Sequence, residues 1–237
     1  SSRSPVPQQL AAFVHRLIGG DILDRFAPSS EEVELYFDLL SKIDHRTEVY
    51  AGNHEMISKN KSVLTNYSKE TCRCNPLVSI VQSHRSDDYD IIDYIELHKN
   101  KWAEPVSRIC FTHVRGAIPP HVLPEVDLNM FREYDLVVTG DLHSHACCQE
   151  APDGTPFMYP GSPLSTSFHR KRMDNTHGVL IVDTDTLTTE WVELGDLPQL
   201  IRKTITAGEA MVADEYDRVI YEVEGDLEDL KQVGDDD

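Results

Sequence analysis

The stretch Val138-Thr139-Gly140-Asp141-Leu142-His143-Ser144-His145 constrains this chain more than any other. An apolar run ends in a glycine turn, and several potential metal ligands follow within a few residues. Three other ligand-rich turns lie upstream, at Gly20-Asp21-Ile22-Leu23-Asp24, at Gly52-Asn53-His54-Glu55 and at Thr112-His113. Each follows a short apolar or β-prone stretch. A strand that ends in a polar turn is α/β logic, with ligands collected outside the carboxyl ends of the strands. The four turns are therefore expected to gather at one edge of a sheet and build a two-metal site for cutting phosphate esters.

That chemistry fits the residue types. Phosphodiester hydrolysis needs charge stabilisation at a phosphoryl oxygen, an activated water and a proton for the leaving oxygen, and two divalent ions about 3.5–4 Å apart meet the first two demands. Carboxylate and amide oxygens combined with imidazole suit Mn²⁺, Fe²⁺ or Zn²⁺ better than Ca²⁺.

The remaining pattern supplies the scaffold. Leu10, Phe13, Val14 and Leu17 stand at helical spacing, so Pro7 to Leu17 reads as an amphipathic helix running straight into the first turn. Only Leu17 and Ile18 are then left to form a strand before Asp21. A strand needs about five residues, so either the turn is reached in an unusual way or sequence is missing between the helix and Ile18. Ser29 with Glu31 and Glu32 predicts a capped helix through Ile43, and Thr47–Ala51 a strand leading to Asn53. Asn60–Leu77 reads as helix and loop over the site. Strands are expected at Val78–Val81, Tyr89–Leu97, Arg108–Thr112, Asp135–Thr139 and Phe157–Tyr159, with a short helix over Asn129–Tyr134. Gly178–Asp183 and Thr188–Leu194 predict an antiparallel pair. Leu197–Ile201 either docks a partner or joins two modules. Arg218–Glu224 alternates as a strand, Asp226–Lys231 starts a helix, and Asp235–Asp237 is an acidic end.

Composition limits the function classes. The 237 residues suffice for one sizeable domain and the beginning of a second, with the division expected at 1–197 and 198–237. The net charge of −19 excludes a broad basic surface for nucleic acid, since neutralising phosphates needs clustered Lys and Arg. It leaves room for a nucleic-acid substrate at a site whose carboxylates are loaded with cations. No apolar run reaches the roughly 18 residues of a membrane span, and no signal-peptide core follows the polar start, so a cytoplasmic address is the default. The five cysteines, an odd number, read as free thiols of a reducing compartment.

In order, the blocks resemble the calcineurin-like metallophosphoesterases, whose pattern is Asp-x-His, Gly-Asp-x-x-Asp, Gly-Asn-His-Asp/Glu, a lone His and Gly-His-x-His. The resemblance implies a four-layer α/β/β/α sandwich with the start of a small C-terminal capping module. It makes Asp21 the bridge between two metals, His143 a ligand of the first, and Asn53, His113 and Asp141 ligands of the second. His54 becomes the general acid or transition-state stabiliser, with Asp24, Glu55 and His145 in support. Asp141 stands where the family usually has His, and His145 is the runner-up for that position. No Asp-x-His stands upstream of Asp21, which implies that the family's first strand is missing from this chain.

Tyr159-Pro160-Gly161-Ser162-Pro163-Leu164-Ser165-Thr166-Ser167-Phe168 and the strand pair after it look like the DNA-repair nuclease branch, which includes bacterial SbcD and recombination endonuclease subunits of tailed phages. The Pro-Gly-Ser turn would present backbone amides to a DNA phosphate, with Ser162, His169, Arg170 and Lys171 as candidate DNA contacts. That branch implies Mn²⁺ (or Mg²⁺ or another divalent ion), two per site, DNA as substrate, an SMC-like ATPase subunit as partner, a homodimer, and host cytoplasm if the source is viral. A phosphomonoesterase on the same fold and a catalytically impaired scaffold subunit are the alternatives. His15, His45, His84, His98, His121 and His177 read as surface or satisfied histidines, and Trp102 and Trp191 as core.

Overall fold

The structure is a computed structural model, and it describes residues 15–99 and 101–231. The start of the helix expected from Pro7 and the acidic end at Asp235–Asp237 lie outside the described residues. The chain divides into two compact units. One runs to Asp141 and adds Cys148–Met158 and Asp183–Thr188; the other comprises Leu142–Cys147, Tyr159–Val182 and the chain from Thr189 on.

The first unit is mixed α/β, built on two sheets. Strands β1 (Arg16–Gly19), β2 (Thr47–Tyr50) and β5 (Val78–Ile80) form an all-parallel sheet in the order β1-β2-β5. The other sheet has the order β10-β11-β9-β8-β7-β6. There β7 (Asp90–Ile92), β8 (Ile109–His113), β9 (Leu136–Gly140) and β11 (Pro156–Met158) run parallel, and β6 (Ser83–Arg85) and β10 (Gln149–Glu150) are antiparallel edges. All of β8 and the first four residues of β9 are buried, which is why these parallel strands read as continuous apolar runs rather than alternating ones. A small hairpin, β3 (Met56–Ser58) with β4 (Lys61–Ser62), follows the second ligand turn.

Helices α1 (Ser30–Ser41) and α2 (Val63–Cys74) cover the three-stranded sheet. Tyr36 and Leu40 of α1 and Val63 and Leu64 of α2 pack with Leu23, Val49, Ala51 and Val78 in one core. Ser29 and Glu32 form a reciprocal capping box at the start of α1, worth about 1 kcal/mol. At its far end the Asn75 amide donates to the Leu40 and Ile43 carbonyls at 2.9 and 2.8 Å, satisfying acceptors that a helix end leaves open. On the other sheet, Phe131 lies between Trp102 and Phe157, with ring centroids 4.7 and 5.2 Å away.

Three local expectations are corrected. Arg16 and Leu17 belong to β1 and not to a helix, because each pairs with β2, Arg16 with Thr47 and Leu17 with Glu48. That pairing continues unbroken through Ile18 with Val49 and Gly19 with Tyr50, so Leu17 and Ile18 are consecutive residues of one strand before Asp21. Tyr89–Leu97 is not one strand: β7 stops at Ile92, and Asp93 caps α3 (Tyr94–Leu97) by accepting from the Glu96 amide at 3.0 Å. The helix expected over Asn129–Tyr134 is a 3-10 turn over Leu128–Phe131.

Burial raises the Asp93 carboxyl to about 6. Its pKa is higher folded than unfolded, so its contribution to stability is complete below the unfolded value near 4 and is lost as pH rises through 6. Asp93→Asn keeps the capping oxygen without the charge. It is expected to raise unfolding free energy by about 1–2 kcal/mol at pH 8, with the gain shrinking toward pH 5. Urea titrations at the two pH values measure it, and a gain equal at both would refute the buried-charge account.

The second unit holds the antiparallel pair β12 (Gly178–Val182) and β13 (Thr189–Glu193), as the alternation predicts. It also holds a parallel pair, β14 (Leu200–Thr206) with β15 (Arg218–Glu224). Strand β14 takes in Leu200 and Ile201, the last two residues of the segment expected either to dock a partner or to join two modules. The last described element is α4 (Leu227–Leu230), capped by Asp226.

Candidate metal centre

The two sheets of the first unit meet at the carboxyl ends of their parallel strands. The Tyr50 hydroxyl donates to the Thr112 carbonyl at 3.1 Å, and His113 Nδ1 lies 2.8 Å from the Gly19 carbonyl. Asp21 follows β1, Asn53 follows β2, His113 ends β8 and Asp141 follows β9. Ligand atoms of Asp21, His113 and Asp141 all fall within 4.8 Å of one another.

Backbone geometry makes the approach. Asp21 and Asp141 both take the left-handed conformation, with φ of 54° and 75°, a strain that non-glycine residues tolerate mainly at functional sites. Each stands directly after a glycine. A Cβ on Gly140 would come within 2.5 Å of both the Gly19 carbonyl oxygen and His113 Nδ1, and one on Gly52 within 2.3 Å of Asp21 Oδ1. The His113 ring is thus walled in by backbone, which is what these turns need glycine for.

The protons follow from the partners. A carbonyl oxygen only accepts, so His113 Nδ1 carries the hydrogen and Nε2 presents its lone pair. Nε2 faces Asn53 Oδ1 at 3.0 Å, Asp21 Oδ2 at 3.2 Å and Asp141 Oδ1 at 3.8 Å. Such a set of acceptors calls for positive charge among them. Turned the other way, the Asn53 amide nitrogen donates to both Asp21 oxygens and to Nε2 at 3.0–3.2 Å. The nitrogen-inward orientation satisfies the carboxylate without a cation, and the oxygen-inward one offers a cation a fourth ligand. Two carboxylates, an imidazole lone pair and an amide oxygen fit a borderline divalent ion.

A proton on Nε2 is the alternative source of that positive charge. Burial opposes a charged His113, but the Asp21 carboxylate beside it outweighs that and raises its pKa. Burial likewise opposes a charged Asp21, and the His113 hydrogen bond overcomes it and lowers that pKa. Burial pushes the Asp141 carboxyl up, with His113 pulling the other way.

Glu55 is fully buried and accepts from three backbone amides, Asp21 at 3.0 Å, Leu23 at 2.9 Å and Gly52 at 2.8 Å. It ties the turn after β1 to the turn after β2. His54 donates its backbone N–H to Asp21 Oδ1 at 3.1 Å, and its ring Nδ1 lies 2.7 Å from the Asp24 carbonyl. That carbonyl, with burial opposing and the Asp21 charge assisting, raises the His54 pKa. The Asp24 side chain is exposed, and its carboxylate is 3.6 Å from His54 Nδ1 and 3.8 Å from Arg25.

Structure brings Asp21, Asn53, His113 and Asp141 together, with His54 and Glu55 directly attached. His143 and His145 belong to the second unit. There His143 Nδ1 is 2.8 Å from Thr166 Oγ1, while His145 stacks on Trp191 at 4.5 Å and its Nδ1 contacts the Tyr159 carbonyl at 2.7 Å. Ser162 donates its amide to the His143 carbonyl and its hydroxyl to the Leu164 carbonyl. His169 bridges to β14 through its backbone, Arg170 contacts Thr204 and Glu222, and Lys171 is exposed. His177 is buried, with Nδ1 3.3 Å from Ser162 Oγ.

Sequence reasoning misses Tyr94 and Glu125. The Tyr94 ring stands edge-on to His113 at 6.2 Å, and its hydroxyl donates to Glu125. No local pattern announces either, because 31 residues separate them.

Fold and site together describe an α/β protein with a cluster of side chains suited to a divalent cation at the meeting ends of parallel strands. No protein-family model matches the chain. A protein of Escherichia phage T5 named "Probable exonuclease subunit 1" is 53% identical to it over 226 residues, covering 93% of this chain and 68% of that protein. The chain belongs to the family of that exonuclease subunit. Among solved structures, the protein TT1561 of Thermus thermophilus is similar with a TM-score of 0.49 and 11% identity, over 78% of this chain and 88% of that one. An archaeal phosphodiesterase is similar with a TM-score of 0.37 and 13% identity, over 67% and 74% of the two chains.

Proposed function

We propose that this protein is a divalent-metal-dependent phosphodiesterase that cuts DNA as the nuclease subunit of a larger complex. The observation that carries the reading is the convergence of Asp21, Asn53, His113 and Asp141 on one point at the strand ends. Kinship with a protein named an exonuclease subunit supports both the substrate and the existence of partner subunits. An SMC-like ATPase, a second copy of the chain and the cytoplasm of an infected host complete the proposal.

Asp21, Asn53, His113 and Asp141 would hold a divalent ion, with Mn²⁺ the first choice. A cation there supplies charge stabilisation at a phosphoryl oxygen and activates the attacking water. Gly19 fixes the His113 tautomer so that Nε2 remains a ligand. The Asp24 carbonyl fixes His54 with its proton on Nδ1. When protonated on Nε2 as well, His54 can donate that proton to the leaving 3′ or 5′ oxygen. A second metal ion and the role of His143 rest on the Gly140-Asp141-Leu142-His143 motif. We assign residues from 198 on to a capping module.

Incubating the protein with linear duplex DNA and Mn²⁺, with and without a chelator, tests the reading. Chelator-sensitive release of nucleotides or fragments is the expected result. Chelator-sensitive turnover of a phosphomonoester with DNA left intact would establish the phosphatase alternative, and neither activity together with no calorimetric Mn²⁺ binding would establish a scaffold.

A further inference from the structure

We propose that Arg115 is a substrate-binding residue that grips a DNA backbone phosphate next to the scissile one. The inference rests on the nuclease reading above and adds the cation which that reading needs. A site lined by Asp21 and Asp141, in a chain of net charge −19, repels a polyanion except where cations are placed to receive it.

Arg115 stands two residues beyond His113, the last residue of β8. Its position is fixed from both sides of the peptide. Its amide donates to Glu125 Oε2 at 3.4 Å, and its carbonyl accepts from the Glu125 amide at 2.9 Å. Val114 before it donates to Thr139 Oγ1 at 2.9 Å, which holds the end of β8 against the end of β9 just before Asp141. Beyond it, Gln149 clamps Ala117 through both amide N–H and carbonyl.

The side chain is exposed, and among the described residues its guanidinium has no hydrogen-bond or ion-pair partner. Its acidic neighbour is otherwise engaged. The Glu125 carboxylate accepts from the Tyr94 hydroxyl and the Arg115 amide, and stands 3.3 Å from His98 Nε2. The nearby Arg25 differs, since Asp24 and Glu32 flank its guanidinium at 3.8 and 3.3 Å.

Glu125, which holds the Arg115 backbone, also accepts from Tyr94, whose ring stands edge-on to His113 at 6.2 Å, yet Arg115 makes no ion pair with any of the four ligands. It therefore stands beside the metal centre and not in it, placed for a neighbouring phosphate. A guanidinium offers that phosphate two parallel N–H donors.

Arg115→Ala, Arg115→Lys and wild type are compared for Mn²⁺-dependent cleavage of linear duplex DNA and for DNA affinity by fluorescence anisotropy over a range of salt. In Arg115→Ala the KM is expected to rise roughly 10- to 100-fold, with kcat within about threefold. The slope of log affinity against log salt should become shallower by about one, as loss of one phosphate contact requires. Lysine should restore the slope but not the full affinity. An Arg115→Ala protein whose KM and salt slope match a wild type that cleaves DNA overturns the assignment. A wild type that neither binds nor cleaves DNA fails the nuclease reading itself, and the assignment falls with it.

Discussion

Alanine at His54 is expected to lower phosphodiester turnover by about 10²–10⁴-fold while leaving divalent-cation binding in place. The range is that of a lost general acid. Retention of metal follows from how His54 is attached: it holds Asp21 through its backbone N–H, at 3.1 Å, and alanine keeps that bond. The ring itself contacts only Asp24 among the hydrogen bonds of this turn, at its carbonyl, and none of the four converging ligands depends on it. Calorimetric titration with Mn²⁺ alongside single-turnover cleavage separates the two effects. A substrate with a better leaving group, which needs less protonation, should lose less in the variant than DNA does. If His54→Ala cleaves DNA within threefold of wild type, the general-acid role is gone; if it no longer binds Mn²⁺, His54 belongs to the ligand set instead.

Which parts of this centre can be read in the chain follows from how local each signal is. Strands β8 and β9 are visible because burial on both faces demands unbroken apolar residues, and the glycine turns are visible because only glycine fits beside His113. Asp21, Asn53, His113 and Asp141 can each be named without knowing that they converge, since each ends such a strand. The strand before Asp21 is obscured. Leu17 satisfies a helical spacing with residues before it, and only pairing of Arg16 and Leu17 with Thr47 and Glu48, some thirty positions away, makes them a strand. Strand β14 is hidden for the same reason, as its whole ladder is parallel to β15 and no turn signals a parallel pair. Asp93 reads as part of a strand, although its carboxylate is what stops β7 and opens α3.

Arg115 belongs to a further class, because its importance comes from a partner it lacks. Nothing in Val114-Arg115-Gly116 sets that arginine apart from the exposed Arg108 seven residues earlier. Arg108 is paired with Asp135 at 2.5 Å, and the acid nearest to Arg115 in the backbone is occupied by Tyr94 and His98. Sequence holds both arginines; only the tertiary distribution of carboxylates distinguishes them.

Glu55→Ala is expected to be the most destabilising single change near the site, at about 3–5 kcal/mol. The carboxylate is fully buried and is the acceptor for the Asp21, Leu23 and Gly52 amides. Burial raises its pKa, and those three donors oppose the rise. Removing it leaves three donors in a space that water does not reach, each losing a charge-assisted bond. For a chain of this size the loss corresponds to a fall in Tm of about 10 °C. The damage should also be directional. With the clamp gone, the turns after β1 and β2 separate, so Asp21 and Asn53 lose their common position and Mn²⁺ affinity falls by at least the roughly 10- to 100-fold typical of a lost supporting contact. Glu55→Gln distinguishes acceptor geometry from mere volume. Its amide keeps one oxygen but turns an NH₂ toward backbone N–H groups, so it should recover only part of the stability. Thermal melts, Mn²⁺ titration and amide exchange at Leu23 and Gly52 read these effects separately. A Glu55→Ala protein that melts within about 2 °C of wild type and binds Mn²⁺ equally well would mean that the two turns are held by something other than this carboxylate.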